Sequence, residues 1–83
     1  MKIRVRYFAS LREALGAEET VEVHGLSTVG ALRDHLVARG GAHAERLARG
    51  RAVRQALDQR LCGDDTALRD GAEVAFFPPV TGG

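Results

Sequence analysis

The chain opens with a segment, from Lys2 to Phe8, in which apolar and polar side chains alternate with a period of two. Such alternation is typical of a half-buried strand, because successive side chains of a strand point to opposite faces of the sheet. Ile3, Val5 and Tyr7 share one face, and Phe8 lies on the other face with the basic residues. One face of the resulting sheet therefore needs an apolar layer to cover it.

The next two elements predicted are a short helix and a second strand. Ser10, with Glu13 three residues later, has the spacing of a capping box and predicts a helix that runs to about Leu15. Gly16 is typical of the residue that ends such a helix. Residues 18–24 alternate again, and a strand joined to the first by so short a connection is expected to be its antiparallel neighbour.

One longer amphipathic helix is predicted to cover the sheet. It begins after Ser27 or Thr28, either of which can cap it, and Gly40 and Gly41 end it. The apolar stripe of this helix has helical spacing and consists of Val29, Leu32, Leu36 and Val37. Arg33 lies off this stripe. A further short helical turn over residues 42–49 would point Leu47 inward.

The last third of the chain is less uniform. Residues 51–62 have mixed apolar spacing and fit either a helix or two short strands. Residues 72–77 predict a final strand, which Pro78 and Pro79 end because neither can donate a hydrogen bond to a ladder. The fold class expected is α+β, a small mixed β-sheet packed on one main helix. We predict a single domain over residues 1–79 and a flexible tail over residues 80–83.

Size and composition exclude several classes of function. A chain of 83 residues forms one domain with a small core, which leaves no room for a cleft with buried catalytic residues. The net charge of +1 argues against nucleic acid as a partner. Cys62 is the single cysteine, so neither an internal disulfide nor a cysteine-based metal site is expected. The alternating N-terminus resembles neither a signal peptide nor a membrane span, and a cytoplasmic location is expected.

The two glycines Gly82 and Gly83 follow Pro78, Pro79, Val80 and Thr81 at the end of the sequence. A carboxylate on two glycines has no side chain to keep it out of a narrow channel, and glycine accepts nearly any φ. One hypothesis is that the carboxylate of Gly83 is the reactive group. The alternative is an ordinary frayed end without a function.

The string Phe-Phe-Pro-Pro-Val-Thr-Gly-Gly at residues 76–83 resembles the end of the small, sulfur-carrying subunit of molybdopterin synthase. The likeness extends over the whole chain and includes the paired aromatic residues Tyr7 and Phe8 and the helix start at Ser27-Thr28-Val29. The family has the ubiquitin-like β-grasp fold, which implies short strands within residues 51–62. Asp58 departs from the family, where asparagine is expected.

The resemblance implies a chemistry at Gly83. An E1-like enzyme would use ATP to adenylate its carboxylate, and a sulfur donor, such as a cysteine desulfurase or a rhodanese-like protein, would convert it to a thiocarboxylate. The tail would then enter the large subunit of the synthase and give its sulfur to a cyclic pyranopterin phosphate, forming the molybdopterin dithiolene. The chain itself would bind no cofactor or metal and would not be catalytic alone. Two small and two large subunits are the assembly expected.

Each residue of the tail fits this chemistry. A side chain at Gly82 or Gly83 would clash with an enzyme that closes around the tail. Val80 and Thr81 can pair with a partner backbone by strand addition. Pro78 and Pro79 hold the exit from the domain extended and direct it away.

Three apolar residues are predicted to form a partner surface on the outer face of the sheet. Phe8 and Phe77 lie there by alternation, and the family adds Leu61. They could instead be ordinary residues at the edge of the core. Four neighbouring arginines predict either a solvated face or a rim that steers an acidic partner. They are Arg46, Arg49, Arg51 and Arg54.

Three other functions stay open. The chain could carry sulfur for thiazole synthesis or tRNA thiolation. It could be a ubiquitin-like modifier that is joined to lysines through Gly83. It could also be a β-grasp binding module whose tail is inert.

Overall fold

In the computed structural model of this chain, which describes residues 1–79, five strands form one sheet. They are β1 (Lys2–Tyr7), β2 (Glu18–Glu22), β3 (Arg54–Leu57), β4 (Arg60–Leu61) and β5 (Glu73–Phe77). Their order is β2-β1-β5-β3-β4, and β1 and β5 are parallel while all other neighbours are antiparallel. The predicted tail, residues 80–83, lies outside the described residues, so the division at residue 79 stays a prediction.

The alternation of the first segment is confirmed. Ile3, Val5 and Tyr7 are buried on the inner face of β1. The register of the parallel pair sets Val5 beside Val74 and Tyr7 beside Phe76, so the two central strands bury their apolar side chains together. The antiparallel pairing predicted between the first two strands is also confirmed.

Three helices accompany the sheet: α1 (Ser10–Leu15), α2 (Val29–Val37) and α3 (Gly41–Leu47). The apolar stripe of α2 shares one core with the inner faces of the strands, and Leu32 and Leu36 are fully buried. Thr28 is the N-cap, because its hydroxyl accepts a hydrogen bond from the Ala31 amide at 3.1 Å. The short helix predicted before Arg49 is α3, and Leu47 is buried as expected.

The capping box predicted at Ser10 is wrong. Ser10 is already the first residue of α1, and Ala9, with a φ of 53°, holds the N-cap position without a side-chain hydrogen bond. The Phe8 carbonyl accepts from the Leu11 amide at 3.1 Å, so the turn after β1 starts the helix through the backbone. Gly16 ends α1 as predicted, at a φ of 94° and with its amide donating to the Arg12 carbonyl at 2.9 Å.

Arg33 lies off the apolar stripe of α2, as the sequence indicates, and is nevertheless buried. It is 5% exposed, and its Nε donates to the Leu47 carbonyl at 2.6 Å. Its Nη2 donates to the carbonyls of Ala48 and Arg51 at 2.8 and 3.3 Å. Carbonyls at a helix C-terminus lack partners within the helix, and the guanidinium satisfies them here. Burial lowers the pKa of Arg33, which nevertheless stays charged.

The ambiguous segment over residues 51–62 forms short strands. Asp58 and Gln59 connect β3 to β4 as a two-residue hairpin turn, with φ values of 48° and 70°. Positive φ at both central residues is the geometry that suits a tight hairpin. Asp58 also secures the hairpin to β5, because its Oδ1 accepts from the Glu73 amide at 3.0 Å and its Oδ2 accepts from Arg69.

Candidate functional site

The outer face of the sheet carries an open groove of about 800 Å³. Phe8, Leu61 and Phe77, the three residues predicted as a partner surface, all line it. Phe8 is 38% exposed and Leu61 is 64% exposed, although both side chains are large and apolar. The structure therefore brings the predicted residues together on one face, and their role in binding a partner is taken up below.

The floor of this groove consists of small side chains that were not among the predicted site residues. Ala75 lies beside Arg6 on one neighbouring strand and beside Ala56 on the other, and Ala56 lies beside Leu61. The two alanines leave a depression between larger neighbours. Strand alternation, which puts Ala75 on the face of Phe77, was the signal that could have predicted this floor.

A cation and an anion flank the apolar part of the groove. The guanidinium of Arg6 lies over the Phe8 ring, 5.1 Å from its centroid, and its Nη1 is 3.9 Å from Glu73 Oε2. A cation over an aromatic face is attracted to the ring, so Arg6 holds Phe8 at the rim of the groove. The site is thus apolar at its centre and carries one charge of each sign beside it.

The last described residues of the chain lie at this groove. Since β1 and β5 are parallel, Phe8 and Phe77 lie at the same edge of the sheet, and the Phe8 amide donates to the Phe76 carbonyl at 3.1 Å. Pro78 and Pro79 follow at once and line the groove. The other predicted site residues, Val80, Thr81, Gly82 and Gly83, lie outside the described residues.

The predicted arginine cluster is divided by the fold. Arg49 Nε donates to Asp34 Oδ1 at 2.8 Å and its Nη1 donates to Asp64 Oδ2 at 2.5 Å, so its charge is neutralised. Hydrogen bonds to these carboxylates raise the pKa of Arg49. Arg46 and Arg51 instead line a second cavity, beside Pro78.

Cys62 has the environment of a structural residue. Its side chain is half-buried and packs against the core, and burial raises the pKa of its thiol. A thiol that stays protonated is a poor nucleophile, which argues against a sulfur relay at this position. Within residues 1–79 no group of three or more histidine, cysteine and acidic side chains could hold a metal ion. No helix in this range is long and apolar enough to cross a membrane.

The model of the ThiS family matches residues 5–83 of this sequence. The chain belongs to the ThiS family. Its membership accounts for the architecture described above, and the ubiquitin-like β-grasp fold predicted from the sequence is confirmed by the solved structures that are similar to it.

One relative of this ThiS-family chain is the molybdopterin synthase sulfur carrier subunit of Escherichia coli (strain K12). The two are 44% identical over 81 residues, which cover 98% of this chain and 99% of the relative. The resemblance to sulfur-carrier subunits inferred from the terminal string is therefore confirmed over nearly the full length.

Two solved structures have the same fold. The crystal structure of small archaeal modifier protein 1 from Haloferax volcanii matches with a TM-score of 0.78 and 29% identity over 100% of both chains. A chain in the complex of subunits 1 and 2 of molybdopterin-converting factor from Helicobacter pylori 26695 matches with a TM-score of 0.70 and 26% identity, again over 100% of both chains.

Proposed function

We propose that this chain is the sulfur-carrier subunit of molybdopterin synthase and that Gly83 carries the sulfur as a thiocarboxylate. The observation that carries the proposal is the likeness to the Escherichia coli sulfur carrier subunit, which is 44% identical over 98% of this chain. The terminal string of residues 76–83 and the exposed groove beside it support the same function. We place the protein in the cytoplasm, where its single cysteine fits a reducing environment.

Activation at Gly83 requires a substitution at phosphorus, which forms an adenylate, and then a substitution at the acyl carbon. Its carboxylate attacks the α-phosphorus of ATP on an E1-like enzyme, which releases pyrophosphate and leaves an acyl-adenylate. The terminal sulfur of a persulfide on a cysteine desulfurase or a rhodanese-like protein then attacks the acyl carbon, and AMP leaves as the C–S bond forms. A thiol cleaves the S–S bond of the resulting acyl disulfide, forms a disulfide with the donor cysteine and so supplies the two electrons that release the sulfur on Gly83. The product is a thiocarboxylate, whose sulfur is a better nucleophile than a carboxylate oxygen. The chain supplies the acyl group, and ATP is bound by the partner.

Transfer takes place when the tail enters the large subunit of the synthase. The sulfur attacks a side-chain carbon of a cyclic pyranopterin phosphate and displaces the oxygen on that carbon, so that a C–S bond forms as a C–O bond breaks. Water then attacks the acyl carbon of Gly83, the acyl C–S bond breaks, the sulfur stays on the pterin and the carboxylate returns. Two such transfers form the dithiolene. The large subunit is expected to supply the acid and base groups, while Gly82 and Gly83 let its site close around the tail.

The groove is the surface by which we expect the large subunit to bind. Leu61 and Phe8 are exposed, apolar and adjacent to the exit of the tail, which suits a docking site that aligns the tail with a channel. The relative from Helicobacter pylori is known in a complex of two subunits of molybdopterin-converting factor. An assembly of two small and two large subunits is the corresponding expectation for this protein.

Protein modification is the second candidate function. The structure of small archaeal modifier protein 1 matches over 100% of this chain, so the same fold belongs to proteins named as modifiers. In that case the activated Gly83 would form an isopeptide bond with a lysine of a target. Sulfur transfer for thiazole synthesis or tRNA thiolation would use the same thiocarboxylate with another acceptor.

The intact mass of the protein tests the proposal. The full chain is incubated with its E1-like enzyme, ATP and a sulfur donor, and the expected product has one terminal oxygen replaced by sulfur. The thiocarboxylated protein is then mixed with the large subunit and the pyranopterin precursor, and dithiolene formation is measured. Failure to gain sulfur from a competent enzyme would contradict every sulfur-carrier function. Lysine-linked adducts in place of the thiocarboxylate would favour the modifier.

A chain that lacks Gly83 is the control for the position of the chemistry. We expect it to lose all sulfur transfer, because the terminal carboxylate moves by one residue out of the reacting position. Its thermal unfolding and its binding to the large subunit should match those of the full chain, since the described core is untouched. Dithiolene formation by this truncated protein would show that Gly83 is not the reacting residue.

A further inference from the structure

A second cavity, of about 230 Å³, lies beside the end of β5, where the predicted tail begins. Arg46 and Arg51 line it together with Ser10, and Pro78 lines both this cavity and the groove. A protein that covers the groove as far as Pro78 is therefore adjacent to the cavity that the two arginines line. Arg54 lies close by in the sheet, since its register partner in β5 is Phe77.

The charges around this cavity are not balanced. Five arginines elsewhere have a carboxylate within 4.0 Å: Arg4, Arg6, Arg39, Arg49 and Arg69. Within residues 1–79, Arg46, Arg51 and Arg54 form no such ion pair, and the same holds for Arg12, Arg33 and Arg60. Of these six, Arg46 and Arg51 line the cavity beside Pro78, and Arg54 neighbours the end of β5.

Hydrogen bonds within the domain hold both the side chain and the backbone of Arg51. Its Nε donates to the Glu45 carbonyl at 3.0 Å, and its own carbonyl accepts from Arg33 Nη2 at 3.3 Å. Within residues 1–79 the remaining nitrogens of its guanidinium form no hydrogen bond, so they are available to bind another group. A planar guanidinium held in place matches the geometry of a carboxylate, and less conformational entropy is lost when the hydrogen bonds form.

We propose that Arg46, Arg51 and Arg54 form a basic collar around the tail exit that binds carboxylate side chains of the large subunit. These carboxylates would lie at the mouth of the site that receives the tail. The inference rests on the proposed function, because it assigns the collar to the same partner as the groove. A protein surface is favoured over RNA since the net charge of the chain is only +1 and the collar is continuous with an apolar groove.

Binding of the large subunit by a pair of charge-matched variants tests the collar. Arg46→Gln/Arg51→Gln and Lys2→Glu each lower the net charge by two, but Lys2 lies at the far end of β1 from Phe8. We expect the double variant to weaken binding roughly fivefold at low salt and the Lys2→Glu variant to change it by less than about twofold. The difference should shrink at high salt, where exposed charges are screened. Arg46→Gln alone tests the loss of charge without the loss of a hydrogen bond, because the Arg46 side chain forms none within residues 1–79.

The outcomes separate this inference from the proposed function. If the wild-type chain binds the large subunit and both charge variants bind equally well, the collar is wrong and the carrier function stands. If the wild-type chain does not bind at all, both fall. A short RNA oligonucleotide that binds the wild-type chain and loses affinity in Arg46→Gln/Arg51→Gln, while the large subunit is unaffected, would also overturn the collar.

Discussion

Glu19 shows how one carboxylate ties three elements together at the edge of the core. The Tyr7 hydroxyl donates to its Oε2 at 2.8 Å, and Arg39 Nη1 donates to its Oε1 at 2.6 Å. His43 Nε2 lies 3.0 Å from the same Oε2. Burial by itself would raise the pKa of Glu19, but the hydrogen bonds from Arg39, Tyr7 and His43 outweigh it, so the pKa lies below its usual value. Burial and the neighbouring carboxylate raise the pKa of Tyr7, which therefore stays a donor.

The depressed pKa of Glu19 predicts a pH-dependent contribution to stability. A carboxylate whose pKa is lower in the folded chain stabilises it above the unfolded value of about 4.3, and this contribution is lost as the pH falls through the folded pKa. Glu19→Gln should therefore lower the free energy of unfolding by about 1–3 kcal/mol at pH 7, and the gap to wild type should narrow below about pH 4. Urea unfolding at several pH values measures both quantities.

Glu22→Gln is the matched control for Glu19→Gln, since Glu22 lies on the same strand but its side chain is 51% exposed and its ion pairs are 3.7 Å or longer. We expect it to change stability by less than about 0.5 kcal/mol at any pH. A Glu19→Gln deficit that stays constant down to pH 3 would show that shape, and not charge, explains the effect of the substitution.

At the scale of elements, the sequence predicted the strands and helices that have a strong local pattern of apolar residues. The alternation of β1 and the stripe of α2 were confirmed, because one face of each is buried against one core. Residue spacing alone does not distinguish the hairpin of β3 and β4 from a helix, since its strands have four and two residues and its turn contains no glycine. The capping box at Ser10 was wrong because backbone geometry starts α1. The burial of Arg33 was not predicted, because the carbonyls that bind it are distant in the sequence.

The turn of that hairpin predicts a stabilising substitution. Gln59 has a φ of 70°, a conformation that costs an ordinary side chain about 1–2 kcal/mol and costs glycine almost nothing. Against this gain, glycine loses about 0.5–1 kcal/mol through the extra freedom of the unfolded chain. Gln59→Gly should therefore raise the free energy of unfolding by about 0.5 kcal/mol and Tm by roughly 2–4 °C.

Gln59→Ala is the control that distinguishes the effect of the backbone conformation from the loss of the polar side chain, since it removes the same polar group but keeps the Cβ. We expect its Tm to lie below that of Gln59→Gly, as measured by thermal unfolding under identical conditions. Equal Tm values for the two variants would mean that positive φ is not the cause.

At the scale of the whole molecule, the fold has a covered and an open side. The inner face of the sheet is buried under α2, while the outer face leaves the groove that Phe8, Leu61 and Phe77 line. Alternation and resemblance predicted these three residues, because the outward positions of a strand can be read locally. The division of the arginines could not be predicted, since Arg49 pairs with Asp34 and Asp64, each 15 residues away along the chain.

Substitution of Leu61 tests partner binding by the groove independently of the stability of the fold. Its side chain is 64% exposed, so Leu61→Ala should change the free energy of unfolding by less than about 0.5 kcal/mol. If the groove binds the large subunit, burial of this side chain in the complex is worth about 1–2 kcal/mol, and the variant should bind roughly tenfold more weakly. Calorimetric titration with the large subunit measures the affinity, and thermal unfolding of the free chain measures the stability.

Thr20→Ala is the matched control for Leu61→Ala, because Thr20 is exposed on the outer face but lies on β2, beyond β1 from the groove. It should leave both affinity and stability unchanged.

The groove and the collar also predict different salt dependences of binding, since apolar burial persists at high salt while ion pairs at a rim weaken. The Leu61→Ala defect should therefore remain at the salt concentration that removes the defect of Arg46→Gln/Arg51→Gln. Equal binding by Leu61→Ala and wild type would show that the docking surface is not the groove.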